Sequence, residues 1–288
     1  MFTLSLLLLV CTLDQPVVAQ DRLAALVGDG SVMLRSPSGE ELVSLNHDIP
    51  LVPASILKIP LAQVALATLG EDFRFETHFY RNDSDDLLIR GLGDPFLVSE
   101  EIARIADTLA ERGLQQIRRL VMDDSAFEPN SDLPIESGSD QPYAARNSAL
   151  AVNFNTVNLA WAADGRLITG ETQTPLTALA RELGVQLSQG EVQRINLGDD
   201  PASGLRQAQQ LFRHFLIESG ITVSDADFHQ QAVTDEWSLF YSHRSSQSLR
   251  DNLDGMLRYS NNFIANQLFL TLGAQTSGYP TTTEAARA

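Results

Sequence analysis

Lysine and cysteine are almost missing from these 288 residues: each occurs once, as Lys58 and Cys11. Cys11 lies in the leader discussed below, so a chain cleaved after it holds no thiol. Disulfides, thiolate metal sites and cysteine nucleophiles are then excluded together. The five histidines (His47, His78, His214, His229, His243) are scattered, with no pair at i, i+4, so no metal is expected. A Gly-x-Ser-x-Gly elbow and the glycine patterns that cradle phosphates are also absent. No cofactor is expected, and Gly91-Leu92-Gly93-Asp94-Pro95 reads as a tight connection. The formal charge of -17 and pI near 4.5 argue against a nucleic-acid or anionic-membrane partner, because both reward dense Lys and Arg.

What remains is a chain with 43% apolar and 20% charged residues, the balance of a folded protein with one large or two ordinary domains. Residues 1–19 read as a secretory signal, with an apolar run over residues 4–11 and small residues up to Ala19. That run is too short to span a bilayer. The expectation is export to the periplasm or cell-wall space, with no integral membrane span in the mature chain.

The other nineteen basic residues are arginine, which stays protonated in proteins, so only Lys58 can serve as an amine base. It sits in Val52-Pro53-Ala54-Ser55-Ile56-Leu57-Lys58-Ile59-Pro60, three residues after Ser55. If a helix opens at Pro53-Ala54, hydroxyl and amine share one face, a nucleophile beside its base. Apolar residues surround the pair, and a buried lysine without a role is costly. The helix, residues 54–69, is expected to be buried on most faces, with a kink or short opening turn at Pro60.

Along the chain, residues 23–27, 31–35 and 41–45 read as strands of an antiparallel meander. Further strands are expected at 74–81, 87–90, 117–123, 150–154, 156–162, 167–169, 185–197 and 237–241. Helices are expected at 99–112 (capped by Ser99), 175–183, 204–219, 249–257 and 263–272. Residues 124–141 read as a surface loop. Ser260 and Asn262 precede the last of these helices, and by spacing alone helix capping is their favoured reading.

Taken together, Ser55-x-x-Lys58 and Ser260-x-Asn262 are the first two of three elements of penicillin-recognising serine enzymes. The chain resembles the D-alanyl-D-alanine carboxypeptidase/endopeptidase family of low-molecular-mass, DacB-type penicillin-binding proteins. The likeness is carried by residues 53–58, by Gly93-Asp94-Pro95 and Met122-Asp123-Asp124-Ser125-Ala126-Phe127, by residues 143–159 with Asn153-Phe154-Asn155, and by residues 244–272. Asn261 and Asn266 stand where that family often has Asp and Glu. The third element, Lys-Thr-Gly, needs a second lysine and is absent.

The resemblance implies an α+β fold: a penicillin-binding or serine β-lactamase-like catalytic domain, an antiparallel sheet flanked by helices, split by an inserted α/β domain. The implied division is residues 20–81 and 235–288 for the catalytic domain, incomplete at its C-terminal end, and 82–234 for the insert. It implies acyl transfer on D-Ala-D-Ala termini or D-Ala cross-links of peptidoglycan peptides, with β-lactams acylating the same serine. Ser55 would be the nucleophile and Lys58 its base; Ser260 would relay a proton to the leaving amine, and Asn262 would position Lys58 and a substrate amide. The alternative expectation is a catalytically inactive, truncated homologue that binds cell wall or serves as a scaffold.

Overall fold

The computed structural model describes residues 22–128, 138–185 and 192–288. The expected leader at 1–19, the middle of the 124–141 loop and part of the strand expected at 185–197 lie outside the described residues. The chain divides into two units, Met1–Ala54 and Ser55–Ala288.

In the first unit, residues 22–27 are helical where a strand was expected. Leu23-Ala24-Ala25-Leu26 are good helix formers, and Gly28, at φ 56, closes the turn by donating its N–H to Ala24 O at 3.0 Å. The expected meander reduces to one antiparallel hairpin, β1 (Val32–Arg35) with β2 (Glu41–Leu45), Val32 facing Leu45. Its turn closes through Ser36 N–H to Glu40 O at 2.8 Å, with Gly39 at φ 88. That positive φ is why glycine serves there.

The second unit opens within a 3-10 turn, Ala54–Leu57, which passes into α1 (Lys58–Leu69). Because the α-helix starts at Lys58, Pro60 falls in its first turn, where its missing N–H costs no hydrogen bond and no kink arises. The expectation of burial on most faces is overturned. Only Lys58, Ala62 and Ala65 are buried, whereas Ile56, Leu57 and Ile59 are 60–67% exposed. A single stripe of α1 packs against α5 (Leu249–Arg258) and α6 (Asn262–Ser277), through Phe75, Leu253, Met256, Ile264 and Leu268.

Between α1 and α5 the chain builds a five-stranded sheet in the order β11-β6-β4-β3-β12. Its members are β3 (Glu76–Arg81), β4 (Leu87–Gly91), β6 (Leu120–Asp123), β11 (His229–Gln230) and β12 (Ser238–Arg244). β3 pairs antiparallel with β4 and β12, whereas β4, β6 and β11 are parallel. The parallel step from β4 to β6 requires a crossover, supplied by α2 (Ser99–Glu111). The strand expected at 117–123 is broken: β5 (Gln116–Ile117) leaves the main sheet to pair with β10 (Thr222–Val223). Phe79, Leu87, Ile89, Ile102, Ile105 and Phe212 form the largest core, joining this sheet to α2 and α4 (Pro201–Glu218). The last helix starts three residues earlier than expected, because Asp200 caps it (Oδ1 accepting from Ala202 N–H, 3.0 Å) and Pro201 suits its first position. A smaller sheet, β8-β7-β9 (Leu167–Thr169, Thr156–Trp161, Gln193–Asn196), packs on α3 (Ala178–Gly184).

Two local expectations fail for one reason. Ser99 does not cap α2: its own N–H donates to Asn153 Oδ1 at 2.9 Å, and its Oγ accepts from Asn153 Nδ2 at 2.9 Å. Residues 150–154 are not a strand, because Asn153, Phe154 and Asn155 stand consecutively at φ 48, 60 and 51. A buried amide reaching from one loop to a helix start has replaced both local preferences.

Where β4 leads to α2 and β12 leads to α5, ionisable side chains gather. Glu101, buried, accepts from His243 Nε2 (2.7 Å), Ser246 N–H (3.0 Å), Ser246 Oγ (2.7 Å) and Arg104. Burial alone would raise its pKa, but these bonds outweigh it and hold the carboxyl at about 2. Asp94 feels the charges of the same pair and is pushed up to about 6, chiefly by burial. The linkage signs oppose. Asp94 binds its proton more tightly when folded, so it adds stability as pH falls from 7 towards 4. Glu101 binds its proton less tightly when folded, and its contribution is lost as pH falls from about 4.5 towards 2. Urea unfolding followed against pH should therefore rise and then fall. Asp94→Asn should flatten the upper limb and Glu101→Gln the lower, each by roughly 2 kcal/mol.

Candidate active site

The turn Ala54–Leu57 delivers Ser55 to the surface and the first residue of α1, Lys58, to the interior. Ser55 is exposed and Lys58 only 7% exposed. Their side chains meet, Lys58 Nζ lying 3.1 Å from Ser55 Oγ. On its other side Nζ donates to Asn262 Oδ1 at 2.7 Å, a contact across 204 positions of sequence.

Asn262 is the first residue of α6, but the helix is capped by Asn261, whose Oδ1 accepts from Ile264 N–H at 2.9 Å. The capping reading of Ser260 and Asn262 is thus replaced: Asn261 takes that task and releases its neighbours. Ser260, at φ 52, turns its hydroxyl to donate to Ser55 Oγ at 2.7 Å. All four residues singled out in the sequence therefore fall in one hydrogen-bonded chain, Asn262–Lys58–Ser55–Ser260.

The electrostatics suit an amine that gives up its proton. Burial lowers the pKa of Lys58 from its ordinary value. The start of α1 carries no acidic residue in its first turn, and the positive end of a helix dipole disfavours a cation there. The ammonium donates to Ser55 Oγ; the neutral amine accepts from that hydroxyl at the same separation. Ser260 then offers a second hydroxyl within reach of the reacting oxygen. Such a set can activate a serine and pass its proton onward. Among the described residues no cluster of three or more His, Cys, Asp or Glu could hold a metal ion.

Sequence reasoning missed the supports around this chain. Gln267, fully buried in α6, accepts from Asn147 Nδ2 at 3.0 Å and donates to Ser148 O at 2.9 Å. Phe154 stacks edge-on against Phe263, ring centroids 5.9 Å apart. The quoted Asn153-Phe154-Asn155 was the available signal, but its alternation favoured a strand.

A serine hydrogen-bonded to a lysine one helical turn on, on an α+β scaffold, is the arrangement expected of penicillin-recognising serine enzymes, and the fold and sequence comparisons fall in that class. The fold matches penicillin binding protein 4 from Haemophilus influenzae with a TM-score of 0.73, at 19% identity over 93% of this chain and 68% of that one. It matches the same protein complexed with a β-lactam with a TM-score of 0.65, at 17% identity over 93% and 66%. By sequence, the chain is 28% identical over 298 aligned residues to a D-alanyl-D-alanine carboxypeptidase of Actinomadura sp. (strain R39). That alignment takes in 86% of this chain but spans only about half, 54%, of the relative. Residues 13–194 and 198–288 match the D-Ala-D-Ala carboxypeptidase 3 (S13) family, and the chain belongs to it.

An amine buried between two neutral polar groups is held at a cost in stability. Lys58→Met, which keeps the stem and removes the charge, should leave stability unchanged or raise it by about 1 kcal/mol. Thermal and urea unfolding of the variant beside the parent chain would check this.

Proposed function

We propose that this chain carries the nucleophilic centre of a serine D,D-carboxypeptidase/endopeptidase that acts on D-Ala-D-Ala termini or D-Ala cross-links of peptidoglycan. The observation that carries the reading is the continuous chain from Asn262 through Lys58 and Ser55 to Ser260, with separations of 2.7, 3.1 and 2.7 Å.

Ser55 Oγ attacks the carbonyl carbon of the scissile amide, and its proton passes to the neutral Lys58 amine. The C–N bond breaks as the proton held by Lys58 is relayed through the Ser260 hydroxyl to the departing nitrogen, leaving an ester on Ser55 and a neutral amine. Water then attacks that ester and gives its proton to the amine, which returns it to Ser55 Oγ as the acyl–oxygen bond breaks and the carboxylic acid leaves. Asn262 holds Nζ from the side opposite Ser55. The backbone N–H of Ser55 supplies one oxyanion donor. A β-lactam follows the same first step, its ring amide opening on Ser55. The Haemophilus influenzae protein of matching fold is complexed with a β-lactam, which supports carrying this inhibitor class over.

The sequence holds no Lys-Thr-Gly, the third element of the chemistry the resemblance implies. The second reading is a homologue that binds wall peptide without turning it over. We further propose that the inserted domain, expected at 82–234, takes in residues 76–244, since β3 and β12 belong to one sheet with β4, β6 and β11. No described helix is long and apolar enough to cross a membrane. Action outside the cytoplasm, where peptidoglycan lies, is the proposed location.

Incubation of the chain with a penicillin, followed by mass spectrometry and peptide mapping, should give one covalent adduct at Ser55 that is absent from Ser55→Ala. Lys58→Ala should slow its formation by roughly 100- to 10,000-fold, the contribution usual for a general base. Folded protein that forms no adduct would sink the enzymatic reading for this chain and leave the binding one.

A further inference from the structure

Left-handed backbone costs a non-glycine residue on the order of 1–3 kcal/mol, and here three such residues follow one another. Neighbouring groups pin them. The side chain of Asn153 is bonded to Ser99 in both directions at 2.9 Å, and its N–H donates to Leu97 O at 3.1 Å. Asn155 Nδ2 donates to Arg146 O at 2.8 Å, and Thr156 Oγ1 donates to Asn153 O at 2.7 Å. Asn153 and Asn155 are 7% and 3% exposed, so these bonds are made where an unpaired amide would be expensive.

What the strained triplet achieves is the placement of one ring. Phe154 lies edge-on between Phe96 (centroids 6.0 Å, planes at 81°) and Phe263 (5.9 Å, 84°). It packs both against the α1–α5–α6 core and against the small cluster of Ala145, Ala151 and Phe263. Phe263 directly follows Asn262. Its carbonyl is also held, by Asn147 Nδ2 at 3.2 Å. The first turn of α6 is thus gripped from residues 147–154, a segment that contributes nothing to the Asn262–Lys58–Ser55–Ser260 chain itself.

We infer that Phe154 is a positioning residue: locked by Asn153, its ring seats the first turn of α6 so that Asn262 Oδ1 meets Lys58 Nζ and Ser260 Oγ meets Ser55 Oγ. The inference rests on the catalytic reading above for its role in acyl transfer, but its geometric content stands apart from activity. It ties the strained backbone of one loop to the alignment of two residues more than a hundred positions away.

The single lysine makes the test direct. This chain grown with 13C-labelled lysine gives one Cε resonance, that of Lys58. Phe154→Leu, which keeps bulk but loses the ring, and Phe154→Ala should move that resonance towards its position in Asn262→Ala. Adding Phe154→Leu to Asn262→Ala should move it no further, since both act on one contact. Phe212→Leu, in the core between the main sheet and α4, should leave the resonance in place although it also costs stability. Acylation by a penicillin should fall about tenfold in Phe154→Leu, within the hundredfold that misplacement by 1 Å can cost, and show no further fall when Asn262 is already alanine. A wild-type resonance in folded Phe154→Leu, or shifts that simply add in the double variant, would overturn the inference. If no variant and not the parent chain is acylated, the proposed function fails while the lysine resonance still decides the role of Phe154.

Discussion

The only amine on a side chain of this protein is buried between two oxygens, one three residues away and one 204 residues away. Taking a lysine out of water is unfavourable unless its hydrogen-bonding capacity is met, and here both partners are neutral. The compromise leaves an amine with a depressed proton affinity beside a solvent-facing hydroxyl. Much of the second unit can be understood as what is needed to bring Asn262 to that amine and keep it there.

Three devices do so, at different ranges. Locally, the 3-10 turn before α1 sets Ser55 outward and Lys58 inward, and the helix start at Lys58 lets Pro60 sit in the first turn without breaking a bond. At the next range, Asn261 caps α6, which frees Asn262 for Lys58 and Ser260 for Ser55. At the longest range, the strained Asn153-Phe154-Asn155 turn and the Asn147–Gln267–Ser148 bonds clamp the beginning of α6. The buried Glu101–His243 pair, bonded also to the exposed Ser246, ties together the two places where the chain passes between the main sheet and the helices, and its carboxylate is stable there only because four donors converge on it.

The departures from sequence-based expectation have a common cause. Polar side chains that act at a distance cannot be read from local periodicity. Ser99 has a capping side chain at a helix start, but Asn153 reaches the same N–H. Residues 150–154 alternate like a strand, but buried amides impose left-handed backbone. Residues 23–27 have strand-like apolar content, yet without a paired strand their helix-forming side chains prevail. The apolar content of α1 suggested burial all round, whereas its small residues, Ala62 and Ala65, mark the one stripe that packs.

The sequence by itself determined which residue could be an amine base, because there is a single lysine; the serine three residues before it as its candidate partner; the main helices, through their periodicity; and, through two short motifs, the resemblance to the family. The tertiary structure alone decided which of Ser260, Asn261 and Asn262 caps α6 and which two turn to Ser55 and Lys58. It also decided that Phe154 adopts a left-handed backbone, and that the proton affinities of the Asp94 and Glu101 carboxyls are shifted in opposite directions. The physical reason is range. Composition and spacing carry information about neighbours within a turn or a strand. Burial, hydrogen-bond satisfaction and proton affinity depend on groups that the chain brings together only after folding.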